Sequence, residues 1–191
     1  MILVDHEIIR AIEDGSLVVD PFDESLVNPA SLDIRLGNVF GIVEKVPDQR
    51  PITNLPLSEW EGWNAIDPTN PNTFETILVE RDTFCLKPGC FIIATTLETI
   101  GFGSQIAGIV KGKSSLGRLG LANSSVAGFI DPAFKSRITL ELYNYSKNPI
   151  LLKAGMKIGQ IVFYRTEKPT NDYSVKGRYM NQIAGMGSLG I

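Results

Sequence analysis

Residues 112 to 142 read "GKSSLGRLGLANSSVAGFIDPAFKSRITLEL" and concentrate the side chains that could do chemistry. Lys113, Ser114, Ser115 and Arg118 lie between glycines and follow the strand-like "QIAGIVK", so they belong to a turn entering one short helix. Such a start offers backbone amides to an anion, with a cation on either side, and the chemistry it suits is phosphate binding. The other reading is that Ser114 or Ser115 simply caps the turn while Lys113 and Arg118 stay solvated. The glycine and lysine spacing is not that of a Walker loop. Further on, "RITLELYN" sends Ile138, Leu140 and Leu142 to one face and Thr139, Glu141 and Tyr143 to the other. In open solvent Glu141 would be an ordinary surface carboxylate. In a closed cleft, desolvation would raise its pKa and fit it to move protons. Asp131, before Pro132, either starts a proline turn or meets a ligand.

Other chemistries fail on residue supply. His6 is the only histidine, and Cys85 and Cys90 are spaced C-x4-C with no histidine near them. The His/Cys/Cys or all-cysteine set plus glutamate of a zinc deaminase cannot be assembled from that inventory, and the one histidine, on the predicted surface helix, is out of place for a Ser-His-Asp triad. The cysteines, in one short apolar region, read as two reduced core thiols of a cytoplasmic-type compartment. A net charge of -3 supplies no basic field for nucleic acid. No apolar run reaches membrane-spanning length, and "MILVDHEIIRAIEDG" meets Asp5 and Glu7 before a signal-peptide core could form. A soluble cytoplasmic protein is expected.

The elements that must hold these residues are mostly strands. "VDHEIIRAIEDG" predicts one amphipathic helix, with Ile8, Ile9 and Ile12 on one face, Asp5 as N-cap and Gly15 as left-handed stop. From "SLDIRLG" onward the period is two, with Leu32, Ile34 and Leu36 inward and Asp33 and Arg35 outward. "FETILVE", "CFIIATT", "QIAGIVK", "RITLELYN" and "KIGQIVFYR" are further strands, divided by the turn signals "KPG", "SKNP" and "KAG". Residues 47–73 carry five prolines with Trp60 and Trp63 among them and predict a long irregular excursion pinned by its tryptophans. Residues 172–191 lose all periodicity and predict a mobile C-terminal tail. The whole is one all-β domain over 1–191, a barrel or sandwich with few helical turns.

Taken in order, "DPFDESLVNPASLDIRLGNVF", "LKPGCFIIATTLE", "GKSSLGRLGL", "AGFIDPAF", "ITLELYN", "GMKIGQ" and "GRYMNQ" resemble the dCTP deaminase family of the dUTPase-like superfamily over almost the whole chain. The resemblance implies a distorted β-barrel forming a homotrimer, with active sites between subunits and magnesium carried on the triphosphate rather than by the protein. It implies that Lys113, Ser114, Ser115 and Arg118 hold phosphates and the reacting water, and that Glu141 is the catalytic acid/base. Asp131 would bind the deoxyribose, and the backbone around Thr139 and Leu140 the pyrimidine. Gln160, Tyr173, Arg178 and Gln182 match nucleotide-contacting positions, the last three on a tail that closes over the site. The implied reaction is deamination of dCTP to dUTP and ammonia, without a zinc hydroxide. The alternative is a bifunctional reaction giving dUMP, pyrophosphate and ammonia. A dUTPase, or a trimeric nucleotide-binding protein without catalysis, are further readings, and dTTP is a feedback inhibitor of some relatives.

The chain departs from the family pattern at several positions. Ala133 and Ser136 replace glycines of a "DPGFxG" turn, where a Cβ resists positive φ and the local backbone is open to change. Arg178 stands for a usual lysine, the spacing from Tyr173 to Arg178 is short, and Ser124 and Ser125 occupy a stretch where relatives carry a histidine near the base pocket.

Overall fold

The period-two segments become strands of a single curled sheet. The computed structural model describes residues 1–45, 74–123, 128–177 and 179. In chain order they form helix α1 (Asp5–Glu13) and strands β1 (Leu17–Asp20), β2 (Val27–Asn28), β3 (Ser31–Lys45), β4 (Phe74–Glu80), β5 (Thr83–Leu86), β6 (Phe91–Phe102) and β7 (Ile106–Gly112). There follow helix α2 (Ser114–Gly117), β8 (Leu121–Asn123), β9 (Phe129–Ile130), β10 (Lys135–Asn144), β11 (Ile150–Lys153), β12 (Lys157–Arg165) and helix α3 (Tyr173–Lys176).

The sheet runs β8-β10-β6-β3-β12-β7-β9, with β1 added on β6 and β2 and β4 on β3; β5 and β11 pair apart from it. β3 organises the curl. Its first part pairs with β12, from Leu32 to Arg35, and its later part with β6 and β4, with a register shift between Leu36 and Phe40. The strand therefore serves two halves of the sheet, which bends into a half-barrel around Leu36, Phe40, Leu140, Leu142, Ile161 and Phe163, all fully buried. Each such side chain contributes about 1.5–3 kcal/mol by leaving water. The curl also brings β8 back towards β12: Asn123 Nδ2 donates to the Ile158 carbonyl at 3.3 Å. A Cβ on Gly159 would lie 2.8 Å from that nitrogen and 2.9 Å from the Lys111 carbonyl, so only glycine lets these strands approach.

Several expectations are met and several are corrected. The predicted helix forms, buries Ile8 and Ala11, and ends at Gly15, whose φ is 77°. Its N-cap is Val4 rather than Asp5, because the Glu7 carboxylate reaches back to accept from the Val4 N–H at 3.2 Å. The "SLDIRLG" strand is not half solvated: Asp33 is 2% exposed, covered by lysine and asparagine side chains. Cys85 and Cys90 are exposed, not core. β5 turns Leu86 inward and Cys85 out, and Cys90 follows the Gly89 turn, whose φ is 70°. β1, β5, β8, β9 and β11 are short strands that the sequence pattern did not single out. The excursion 47–73 with Trp60 and Trp63, together with Ser124, Ser125, Arg178 and Gln182, lies outside the described residues. No helix among the described residues is long and apolar enough to cross a membrane.

Candidate active site

The serine segment folds as expected in outline. β7 ends at Gly112 and one turn of helix follows, with Leu116 N–H and Gly117 N–H both donating to the Lys113 carbonyl at 3.0 Å. The N-cap is Lys113, with no side-chain cap, so neither serine caps the turn. Ser114, Ser115 and Arg118 are exposed.

Lys113 is not simply solvated. Its Nζ donates to Asp33 Oδ1 at 2.6 Å, Asn28 Nδ2 donates to the same oxygen at 2.9 Å, and Lys157 Nζ lies 3.1 Å from Oδ2. Burial pushes the Asp33 carboxyl upward, but the hydrogen bonds from Lys113, Lys157 and Asn28 outweigh it and hold the group below its usual range. Asp33 sits opposite Gln160 across β3 and β12, and Gln160 sits opposite Lys111 across β12 and β7. Paired residues of an antiparallel sheet share a face. Lys113 and Gln160, read separately from sequence, therefore belong to one polar cluster, in which Ser31 Oγ donates to Gln160 Oε1 at 3.2 Å.

β10 carries the second group. Its burial alternates strictly: Ile138, Leu140 and Leu142 are buried, and Thr139, Glu141 and Tyr143 are half-buried on the opposite face. Leu140 is fully buried, so only its backbone is available to a base. Thr139 pairs with Thr95 and Glu141 with Ile93 on β6. β8 pairs with the far end of β10 at Leu142–Asn144, and its Asn123 contacts Ile158 of β12. The segment from α2 to β8 thus spans from the lysine cluster to the strand of Glu141.

Asp131 and Tyr173 form a third group. Asp131 is exposed at a turn in which the Phe134 N–H donates to the Asp131 carbonyl at 3.3 Å. Ala133 adopts φ 67° despite its Cβ, a conformation costing a non-glycine residue about 1–2 kcal/mol. The turn keeps its left-handed backbone where a change was open, and Ser136 lies buried in β10 opposite Ile100. α3 docks here: the Tyr173 N–H donates to the Pro132 carbonyl at 3.0 Å, and the Tyr173 ring packs on Phe134 with centroids 5.5 Å apart. Gly177 closes over that ring, and a Cβ there would overlap it. The predicted tail therefore begins with a seated turn at residues 173–176.

Asp33, Asn28, Ser31, Lys157 and Asn123 are the polar residues that motif reading passed over. The only sequence signal was an acid at an alternate position of an apolar strand. Among the described residues no three His, Cys, Asp or Glu side chains come together as a metal site.

The family model for dCTP deaminase-like proteins matches residues 2–166. The chain is 41% identical to a "dCTP deaminase, dUMP-forming" of Salinispora arenicola over 172 residues, covering 88% of this chain and 82% of the relative. It is 41% identical to the protein of that name from Tropheryma whipplei over 196 residues, covering 99% and 92%. With that of Mycolicibacterium vanbaalenii it shares 42% over 189 residues, covering 95% and 92%. The solved 2'-deoxycytidine 5'-triphosphate deaminase of Agrobacterium tumefaciens has a similar fold, with TM-score 0.58 and 23% identity, over 85% of this chain and 47% of that one. Curled sheet, serine turn, β10 alternation and a matched family model together place this chain in the dCTP deaminase-like family.

Proposed function

We propose that the protein hydrolyses dCTP to dUMP, ammonia and pyrophosphate. The observation that carries this reading is the similarity, near 40% over most of the chain, to relatives named for dUMP formation. It favours the bifunctional reaction over the simpler one that ends at dUTP.

The chemistry starts at the half-buried face of β10. Glu141, ionised, takes a proton from a water attacking the ring carbon that bears the amine, then returns protons to the ring nitrogen and to the departing ammonia. Cytosine plus water gives uracil plus ammonia, with no net proton consumed. Arg118 and the serines of α2 orient the water and offset charge, and the Thr139–Leu140 backbone meets the base. Asp131 meets the deoxyribose, and the chain after α3 covers the nucleotide. Magnesium enters as part of the substrate, on the triphosphate. A second water then cleaves between the α- and β-phosphates. We further propose a homotrimer. Leu119, Phe129 and Tyr145, exposed by 64%, 60% and 74%, supply apolar surface that such an assembly would cover.

The test is to incubate the protein with dCTP and magnesium and resolve nucleotides, pyrophosphate and ammonia together. The expected products are dUMP, pyrophosphate and ammonia in equal amounts. Accumulation of dUTP would favour the simpler deaminase, and no ammonia would refute both. Glu141→Gln should slow ammonia release by about 10²–10⁴-fold while nucleotide binding persists.

A further inference from the structure

We propose that Asp33 is a positioning residue for the anion end of the nucleotide site: fixed by Asn28 and Lys157, its carboxylate holds the Lys113 ammonium at the entrance to α2. The inference rests on the reading of that turn as the phosphate-binding segment. Asp33 is nearly inaccessible, at 2% exposure, so it does not meet a ligand itself. It acts through what it holds. An ammonium has three donors, and Asp33 takes one of those of Lys113, whose side chain remains 25% exposed.

Lys157 explains why this clamp does not neutralise the site. One lysine on one carboxylate would cancel to zero. Two lysines on one carboxylate leave a net positive charge, and the second, 48% exposed, sits on the other oxygen. The carboxylate is thereby satisfied in a buried position while Lys113 keeps charge to offer a phosphate. Ser31 fixes Gln160 on the same face, so one patch of β3 arranges two residues of the site.

The experiment compares wild type, Asp33→Asn, Lys113→Met and the double variant, measuring kcat and KM for dCTP and, by calorimetry, Kd for inorganic tripolyphosphate. Asp33→Asn is expected to raise KM about tenfold with kcat changed less than about threefold, the loss of one oriented charge contact. Lys113→Met should do the same, and adding Asp33→Asn to it should change KM by less than about twofold, because Asp33 acts only through Lys113. An unchanged or lowered KM in Asp33→Asn overturns the proposal, since removing a negative charge would by itself tighten anion binding. Full additivity in the double variant overturns it too. Should Asp33→Asn not fold, Asn28→Ala takes its place: it removes one anchor of the Asp33 carboxylate, weaker tripolyphosphate binding than wild type supports the clamp, and equal binding overturns it. Should the wild type release no ammonia from dCTP, the functional reading falls. Tripolyphosphate affinity then tests Asp33 by itself: about tenfold weaker binding in the variants supports the clamp, and equal binding overturns it.

Discussion

Asp33 and Arg35 stand two residues apart on one face of β3, and the charged clusters they anchor are built in opposite ways. Arg35 faces Glu98 of β6, which is fully buried: the Arg35 Nε donates at 2.6 Å and the Arg35 backbone N–H at 3.0 Å to the two carboxylate oxygens. The Arg35 Nη2 donates to the Pro21 carbonyl at 3.3 Å, and Thr96 Oγ1 donates to the Glu98 carbonyl at 2.7 Å. The Arg35 Nη1 lies 3.9 Å from Asp23 Oδ2, so the planar guanidinium, itself 22% exposed, is held in one geometry between two carboxylates and a carbonyl. Asp33 instead takes two flexible ammoniums whose side chains keep 25% and 48% exposure. The first cluster is closed and ties β3 to β6 and to the chain near Pro21. The second is open in charge, with two ammoniums on one carboxylate, and that spare positive charge is what a ligand site needs. Position on one strand does not set the role of a charge; the neighbours that cover it do.

The largest effect should come from breaking the closed cluster. Glu98→Ala leaves Arg35 without its buried partner and should cost about 3–5 kcal/mol in urea unfolding, with the folded protein's tripolyphosphate affinity unchanged. A loss of only about 1–2 kcal/mol would show that the two clusters are alike. Asp33→Asn should cost less, about 1–2 kcal/mol, because both lysines can turn to water.

Acid separates that contribution further. The folded Asp33 pKa lies below its ordinary value, so its stabilisation is present above the unfolded pKa of about 3.9 and is lost as pH falls through the folded one. The stability gap between wild type and Asp33→Asn should therefore be constant from neutral pH to about pH 5 and shrink below about pH 4. Unfolding curves at several pH values would expose a gap that instead widens. Next in size, Arg35→Lys should cost about 1 kcal/mol, whereas Lys113→Arg should cost less than half of that. Comparable losses would erase the distinction between fork and point charge. Smallest, raising salt towards about 1 M should trim the Asp33→Asn gap by a few tenths of a kcal/mol through screening and leave the Glu98→Ala gap unchanged.

Much of the fold was legible in residue order. Ile138, Leu140 and Leu142 announced their face of β10 because a strand alternates whatever it packs against. Gly15 announced the end of α1 because few other residues take its φ. The serine turn after β7 was equally visible. Short strands such as β5 and β11 were not, since four residues carry too little periodicity to separate from loop. The exposed cysteines were misplaced for a related reason: an apolar neighbourhood in sequence does not say which side of a ribbon faces the core. Ala133 shows the converse, a position where local preference opposed the backbone and the surrounding turn prevailed.

For the site, sequence alone determined the kinds of chemistry available. One histidine and two cysteines limit metal and triad chemistry, and Lys113, Ser114, Arg118, Asp131 and Glu141 supply cations, a hydroxyl and carboxylates. Tertiary structure decided which of them act together. Lys113 and Asp33 are 80 residues apart in the chain and meet at 2.6 Å. Only the pairing of β3 with β12, and of β12 with β7, brings them to one face. Whether a carboxylate is solvated, locked or left holding a spare charge depends on distant strands closing over it, and no local pattern contains that information.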